Sequence, residues 1–365
     1  MDDAAHASRA EAHYTMSSTS LVQLLDPRTT EGKAEIARLQ DTGYSYVDTY
    51  TEQLAELAEI RDPKSVGQMP APVIEGPEER IAVYPWCKTL VRIVGPEAYY
   101  ELRTNRNRDL LTTQEQERFS ESCIGFMGLN VGNPGAVCIA LEGGGRAMKL
   151  ADLDALSLTN LNRFRAGLPD LGVNKATLTA RQILEIDPYY EIELFEKGIT
   201  VEMINTFIGE PELDLLVEEM DALPLKIKVR EIAREKGIPV IMATGNGEGV
   251  LLDVERYDLE PDLPILNNLM EPRVLDAITK SIKPLVPHEK VALARDFMGT
   301  KYLDTRLVAS FAKFGDELVG IPQLAESSFM RGATLCYAAK AIILGRPMPS
   351  GRYSFSFTEQ LQGIN

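Results

Sequence analysis

The chain of 365 residues has few of the side chains from which most catalytic and metal sites are built. It contains 3 histidines and 4 cysteines, and the cysteines stand far apart without a C-x-x-C pair. A zinc site, a disulfide framework and a Ser–His–Asp triad each need residues that are missing here. We therefore predict a protein without zinc, whose chemistry uses neither histidine nor cysteine.

Long apolar runs and an excess of basic charge are missing as well. No stretch of about 18 apolar residues occurs, and the N-terminus has no basic segment followed by an apolar one. Lys and Arg number 38 against 54 Asp and Glu, which leaves a formal charge of −16. Proteins that coat nucleic acid or anionic membranes normally present a basic face. We predict a cytoplasmic protein with neither partner.

The composition is otherwise that of an ordinary soluble protein, with 44% hydrophobic and 25% charged residues. Residues 1–20 are small, polar and without periodicity, so we predict a disordered tail. Residues 21–100 predict an extension of helices and short strands. Its helices are expected within 20–60, with Ser20 as the N-cap of the first. The Pro- and Gly-rich segment 68–79 predicts a long loop.

Strands and helices alternate along the central part of the chain. Apolar runs predict strands at 80–85, 89–95, 123–128, 147–152, 190–198, 213–221 and 238–244. Helical spacing predicts helices at 133–143, 175–186, 200–208 and 225–237. Pro134 would lie in the first turn of its helix, where a missing N–H costs nothing. This alternation predicts an α/β fold, with a Rossmann-like, mostly parallel sheet and helices on both faces.

A strand-to-helix turn with two glycines, Gly128 and Gly132, is the first candidate site. Backbone N–H groups and a helix N-terminus at such a turn can cradle a phosphate. Asn130 stands where the G-x-G-x-x-G pattern has its second glycine, and a side chain there would crowd the phosphate. Asp152, which ends the next strand, can bond the ribose hydroxyls of either NAD or ATP. A purely structural turn and a solvated acid remain open alternatives.

Cationic and acidic side chains downstream favour ATP over NAD. Arg163 and Lys175 can neutralise charge on a transferring phosphoryl group. Asp221, predicted to end a later strand, offers oxygen ligation to Mg²⁺. A single Arg or Lys is usually a solvated surface residue, but the order of these residues together favours a nucleotide site.

Five segments make the region from about residue 105 to residue 255 resemble the ThiF/MoeB/HesA family, the adenylating relatives of ubiquitin-activating enzymes. They are GLNVG at 128–132, LADLDALSLTNLNR at 150–163, DLGVNKA at 170–176, IDP at 186–188 and VEEMDALPLKIKVRE at 217–231. The resemblance implies ATP- and Mg²⁺-dependent adenylation of a carboxylate, commonly the C-terminal glycine of a small ubiquitin-like or sulfur-carrier protein. It also implies an adenylating domain over 101–357 with a C-terminal helical portion.

The resemblance further implies a role for each matching residue. Nucleotide-binding positions are Gly128, Asn130, Gly132, Asp152 and Asp154, with Asp152 on the ribose. Asn160, Arg163 and Lys175 would contact the phosphates, and Asp221 would hold Mg²⁺. Arg106 or Arg108, in a run that matches the family's N-R motif, would reach the ATP site of the partner subunit, which implies a homodimer.

A narrower resemblance extends to both ends of this region. Segments 84–96, 237–244, 251–266 and 344–357 resemble an actinobacterial branch of molybdopterin-biosynthesis-like proteins, sometimes fused to a nitroreductase-like domain. No cysteine lies between 243 and 335, where thioester-forming and sulfur-transferring members keep their nucleophile. We therefore predict no thioester step, and we interpret the remaining cysteines of the region as core residues: Cys123, Cys138 and Cys336.

Three functions stay open. The first is adenylation of a carboxylate on a peptide, a carrier-protein tail or a metabolite. The second is an NAD(P)-linked Rossmann oxidoreductase, which leaves Arg163 and Lys175 without a role. The third is a non-catalytic nucleotide-binding or dimerising protein, which Asn130 favours. The Gly-rich segment 244–249 is either a mobile lid or a tight connection between strands.

Overall fold

The computed structural model describes residues 16–17, 21–67, 76–279 and 287–361, which contain two sheets and the helices that cover them. The strands are β1 (Met16–Ser17), β2 (Gln23–Leu25), β3 (Ser45–Asp48), β4 (Glu79–Tyr84), β5 (Thr89–Val94), β6 (Cys123–Met127), β7 (Ala147–Ala151), β8 (Glu191–Phe195), β9 (Leu215–Glu218), β10 (Val240–Asn246), β11 (Gly249–Glu255) and β12 (Gly351–Ser356).

The helices are α1 (Thr30–Asp41), α2 (Tyr50–Arg61), α3 (Pro96–Thr104), α4 (Thr113–Ser120), α5 (Leu129–Leu141), α6 (Lys175–Ile186), α7 (Ile204–Gly209), α8 (Leu223–Lys236), α9 (Pro272–Thr279), α10 (Pro287–Met298), α11 (Thr305–Phe311), α12 (Ala325–Ile343) and α13 (Phe357–Gln360). Within the described ranges, none of them combines the length and apolar character needed to cross a bilayer.

The larger sheet has eight strands in the order β1-β8-β7-β6-β9-β10-β11-β12. The five strands from β8 to β10 are parallel, whereas β1, β11 and β12 pair antiparallel at the two sides. The predicted mostly parallel sheet is therefore confirmed. The carboxyl ends of its parallel strands lie along one edge, which is where open α/β sheets bind ligands.

Helices cover both faces of this sheet, as predicted. Alternation along β6 directs Phe126 to one core and Met127 to the other. The first core contains α5, α6 and α12, and the second contains α7 and α8. Both faces of the parallel strands are thus buried, which explains their nearly continuous apolar runs.

The smaller sheet has the order β2-β4-β5-β3, and two predictions for the N-terminal region need correction. The helix expected from Ser20 is wrong, because β2 begins at Gln23 and pairs with β4; Ser20 itself lies outside the described residues. A short apolar run fits a strand as well as a helix. The disordered tail expected over 1–20 is wrong at β1, which pairs with β8. The rest of the tail lies outside the described ranges, as do residues 68–75 of the predicted loop.

Two element boundaries at the carboxyl edge also differ from prediction. Helix α5 begins at Leu129, so Pro134 lies inside it and not in its first turn. A proline there leaves the carbonyl of Asn130 without its intrahelical donor. Strand β9 ends at Glu218, three residues before Asp221. The segment 244–249 is a tight connection, because β10 and β11 pair as a hairpin from Asn246 to Gly249.

Candidate active site

The turn after β6 places the first turn of α5 at the carboxyl edge of the sheet. Gly128 has a φ of +92°, and a Cβ built on it would lie 2.5 Å from the carbonyl oxygen of Glu219. Only glycine fits this conformation and this close approach. A Cβ on Gly132, in contrast, would meet only ordinary contacts of 3.6 Å or more. The N–H groups of the first turn lack intrahelical partners and face this edge, as a phosphate site requires.

Asp152 ties the end of β7 to the start of α5. Its Oδ2 accepts the Leu129 N–H at 2.6 Å, and its Oδ1 accepts the Asp154 N–H at 2.8 Å. Burial raises the pKa of Asp152, although these two N–H donors act in the opposite direction. Each carboxylate oxygen can accept a further hydrogen bond, so the side chain can bond a ribose hydroxyl without losing its structural contacts.

Lys175 and Asp154 form an ion pair beside Asp152. The Lys175 Nζ lies 3.0 Å from Asp154 Oδ2, and the lysine is buried while Asp154 is more than half exposed. Lys175 begins α6, which Asn174 caps by accepting the Ala176 N–H. The fold therefore brings a buried cation close to Asp152, with an exposed partner that an anionic ligand can displace.

Arg163 and Asp221 are close enough for their charges to interact. Arg163 donates to the Thr159 carbonyl at 3.2 Å and to Asn162 Oδ1 at 2.8 Å, but its buried Nε has no partner among the described residues. Burial lowers the pKa of Arg163, and the nearby Asp221 raises it. Asp221 is exposed, so a negative charge next to the half-buried Arg163 faces solvent.

The side-chain amide oxygens of Asn160 and Asn130 differ in their hydrogen bonding: the first has a partner and the second has none within the described residues. Asn160 is buried, and its Oδ1 accepts the Ser157 N–H at 3.1 Å, so it shapes the turn that carries Arg163. The Oδ1 of Asn130 is buried and has no hydrogen-bond partner in the described part of the chain. An orphaned polar atom at the start of α5 is typical of a site that a ligand completes.

The structure does not bring Arg106 and Arg108 to this site within one chain. Both are exposed, and Asn107 between them donates to the carbonyl of Glu142 at the far end of α5. That helix has 13 residues and is about 20 Å long. An intramolecular contact with the Gly128 turn is therefore excluded for these arginines in this conformation.

Two buried residues at the site were missed from the sequence. Glu219 follows β9, and its Oε1 accepts the Ala243 N–H at 2.5 Å; burial raises its pKa to about 8. Arg331 of α12 is 2% exposed, and burial lowers its pKa to about 10. The local signals were a second acid at the end of a strand and a single arginine within a run of small and apolar residues.

A metal site made by the protein alone is not present in the described ranges, where no three His, Cys, Asp or Glu side chains come together. Asp221, the residue predicted to hold Mg²⁺, is not part of such a cluster. This arrangement resembles Mg²⁺ sites in which one or two carboxylates act with substrate phosphates.

Comparison with known proteins gives a family match over this site. Residues 104–264 match the ThiF family model. The uncharacterized protein MT1398 of Mycobacterium tuberculosis (strain CDC 1551 / Oshkosh) is 35% identical over 325 residues, which are 89% of this chain and 44% of the relative. A probable molybdopterin-synthase adenylyltransferase of Porphyra purpurea is 29% identical over 110 residues, covering 29% of this chain and 28% of its own.

Among solved structures, the E. coli tRNA N6-threonylcarbamoyladenosine dehydratase TcdA in complex with AMP aligns with a TM-score of 0.48 at 16% identity. The alignment covers 67% of this chain and 95% of that one. The chain spans less than half the length of both curated relatives.

Proposed function

We propose that the protein, whose residues 104–264 match the ThiF family model, uses ATP to adenylate a carboxylate, without a protein thioester step. The carboxylate would belong to a peptide, the tail of a carrier protein or a small metabolite. The observation that carries the proposal is the position of Asp152 and of the Lys175–Asp154 ion pair beside the N-terminus of α5 at the carboxyl edge of the sheet. The adenylyltransferase name of one relative supports the same reaction class.

The site fits ATP on three observations. Asp152 keeps free acceptor capacity for a ribose hydroxyl. The close approach of the Glu219 backbone to Gly128 fixes the turn from which the N-terminus of α5 begins, and a helix N-terminus can bind a phosphate. The unpartnered Nε of Arg163 and the Nζ of Lys175 would neutralise the phosphates.

Mg²⁺ would neutralise phosphate charge, held by Asp221 and phosphate oxygens. In the reaction, a carboxylate oxygen attacks the α-phosphorus and pyrophosphate leaves. The carboxylate is already ionised at neutral pH, so the protein needs no general base. Its work is positioning and charge neutralisation, which side chains such as Arg163 and Lys175 perform without histidine or cysteine.

We also propose a homodimer, in which Arg106 or Arg108 of the partner subunit reaches the phosphates. The support is the exposure of both arginines and their distance from the site of their own chain. An arginine supplied in this way would add a cation at the leaving pyrophosphate.

Exchange between ATP and labelled pyrophosphate, measured with a panel of carboxylates, tests the reaction. We expect Lys175→Ala and Asp221→Ala each to lower exchange by about 100-fold or more, because each removes a group that acts on the phosphates. Lys33→Ala, on the exposed surface of α1, should exchange like the wild type. Calorimetric binding of NAD and not of ATP would contradict adenylation. Binding of neither nucleotide would favour the non-catalytic alternative.

A further inference from the structure

Arg331 is buried without a charged hydrogen-bond partner. Both of its Nη atoms donate to the same neutral oxygen, Gln323 Oε1, at 3.3 and 3.2 Å. Its Nε has no acceptor anywhere in the described ranges. Charge-assisted bonds of arginine to a carboxylate are about 2.7–2.9 Å long and often bidentate. The single amide oxygen is therefore a weak substitute for an anion.

Two more arginines repeat this pattern next to Arg331. The Nε of Arg163 and the Nη1 of Arg165 are buried and unpartnered, judged over the residues that the structure describes. Both arginines lower the pKa of Arg331, after the larger effect of burial, while Glu219 raises it. Three neighbouring guanidinium groups with unfilled donors repel one another, and an anion between them removes that repulsion.

Sheet order separates Arg331 from the ribose side of the site. Asp152 follows β7 and the Gly128 turn follows β6, whereas a Cβ built on Gly245 of β10 would lie 3.2 Å from Arg331 Nη1. The ends of β7 and β10 are three strand spacings apart, about 14 Å. A nucleotide with its ribose at Asp152 and its phosphates at the turn would leave Arg331 on the far side of the turn from the ribose.

We propose that Arg331 binds the carboxylate that is to be adenylated, which replaces Gln323 Oε1 as the acceptor of both Nη donors. This inference rests on the proposed function for the identity of the anion. Gln323 is half-buried and lies between Pro322 and Leu324, which line a groove of about 410 Å³. Rotation of the Gln323 side chain away from Arg331 would free both Nη donors for another acceptor. In this proposal Arg331 binds the substrate. When substrate is absent, Gln323 Oε1 accepts the hydrogen bonds that the substrate carboxylate would otherwise accept.

The proposal can be tested with a variant that carries a carboxylate next to Arg331. In the full chain, Gln323→Glu places a carboxylate against Arg331, so we expect a higher Tm than the wild type in sodium chloride. Sodium formate at matched ionic strength should raise the Tm of the wild type by mass action and should leave that of Gln323→Glu unchanged. Gln323→Leu, the matched control, should keep the formate response, and Arg331→Met should lose it.

Two results would overturn this inference. One is a Gln323→Glu protein that responds to formate as the wild type does, or whose Tm falls; this variant keeps the test valid even where Arg331→Met does not fold. The other is a loss of about tenfold or more in affinity for a non-hydrolysable ATP analogue in Gln323→Glu, which would make Arg331 a phosphate ligand. Failure of the wild type to bind the analogue would contradict the proposed function alone, because the formate measurements need no nucleotide.

Discussion

Glu218 and Glu219 are adjacent at the end of β9 and both are buried, yet their surroundings are opposite. Burial opposes ionisation of Glu218, but Lys226 and Arg230 hold its pKa below the usual value. Glu219 accepts only a backbone N–H from Ala243 within the described chain, and burial raises its pKa to about 8. Successive residues of a strand point to opposite faces, so the two carboxylates belong to different layers.

The layer of Glu218 is a completed network. Lys226 Nζ lies 3.0 Å from Glu218 Oε2, and Arg230 donates to both Glu218 and Glu255. The Leu266 N–H and the Tyr257 hydroxyl also donate to Glu255. The layer of Glu219 contains arginines with unfilled donors. The cations near Glu218 therefore stabilise the packing of α8 on the sheet. The arginines near Glu219 keep unfilled hydrogen-bond donors that a ligand could use.

Breaking the completed network should have the largest effect. Arg230→Met removes the cation shared by two buried carboxylates, and we expect the free energy of unfolding to fall by about 3–5 kcal/mol. Arg273→Met, whose ion pair with Glu271 is largely exposed, should change it by less than about 0.5 kcal/mol. Urea denaturation of both variants measures the difference. Equal losses would mean that burial does not distinguish the two pairs.

The pH dependence of the stability of Glu219→Gln tests whether Glu219, unlike Glu218, is protonated in the folded protein. The pKa of Glu219 is about 8 in the folded protein and roughly 4.3 in the unfolded chain. Between these values only the folded state keeps the proton, so the wild type loses stability as pH rises, at most about 1.4 kcal/mol per unit. Glu219→Gln should lack this loss and should exceed the wild type by roughly 3–4 kcal/mol at pH 7. Glu56→Gln on the exposed surface of α2 is the control, and parallel curves for wild type and Glu219→Gln would contradict the assignment.

A substitution of Asn130, whose side-chain oxygen has no partner within the described residues, should have a smaller effect, and this effect is on nucleotide affinity. Asn130→Asp keeps the shape of the side chain but adds negative charge where a phosphate would bind. We expect the Kd for a non-hydrolysable ATP analogue to rise about tenfold, or about 1.4 kcal/mol. The Tm should stay the same or rise, because an acid suits a helix N-terminus. Calorimetry should find no change for Asn268→Asp, an exposed position. An unchanged Kd at position 130 would remove Asn130 from the site.

Local pattern was sufficient to predict the parallel sheet and its two covered faces, because apolar runs near 123–127 and 238–244 have no other way to be buried. It failed at α5, where the start of the helix depends on Gly128 and on the bond from Leu129 to Asp152. Asn160 belongs to a segment that resembles the family, which predicts a phosphate contact. In the structure its Oδ1 accepts the Ser157 N–H and stabilises a turn.

The partnership of Arg331 with Gln323 and the arginines around it could not be predicted from spacing. Arg331 lies on a helix far along the chain from Arg163 and Arg165, and nothing periodic connects them. Only the packing of α12 against α5, where a Cβ on Gly332 would lie 2.7 Å from the Pro134 carbonyl oxygen, brings them together. Such contacts depend on the tertiary fold, so no local sequence pattern predicts them.

The packing of α12 also sets when the site can be finished during synthesis. Ser328 donates to the Arg163 carbonyl across 165 positions of sequence, and Arg331 follows shortly after. A ribosome adding about 5–20 residues per second needs roughly 10–30 s to travel that distance. A nascent chain therefore carries the Gly128 turn for many seconds before Arg331 has been added. Anion binding that depends on Arg331 would report that translation has passed this position of α12.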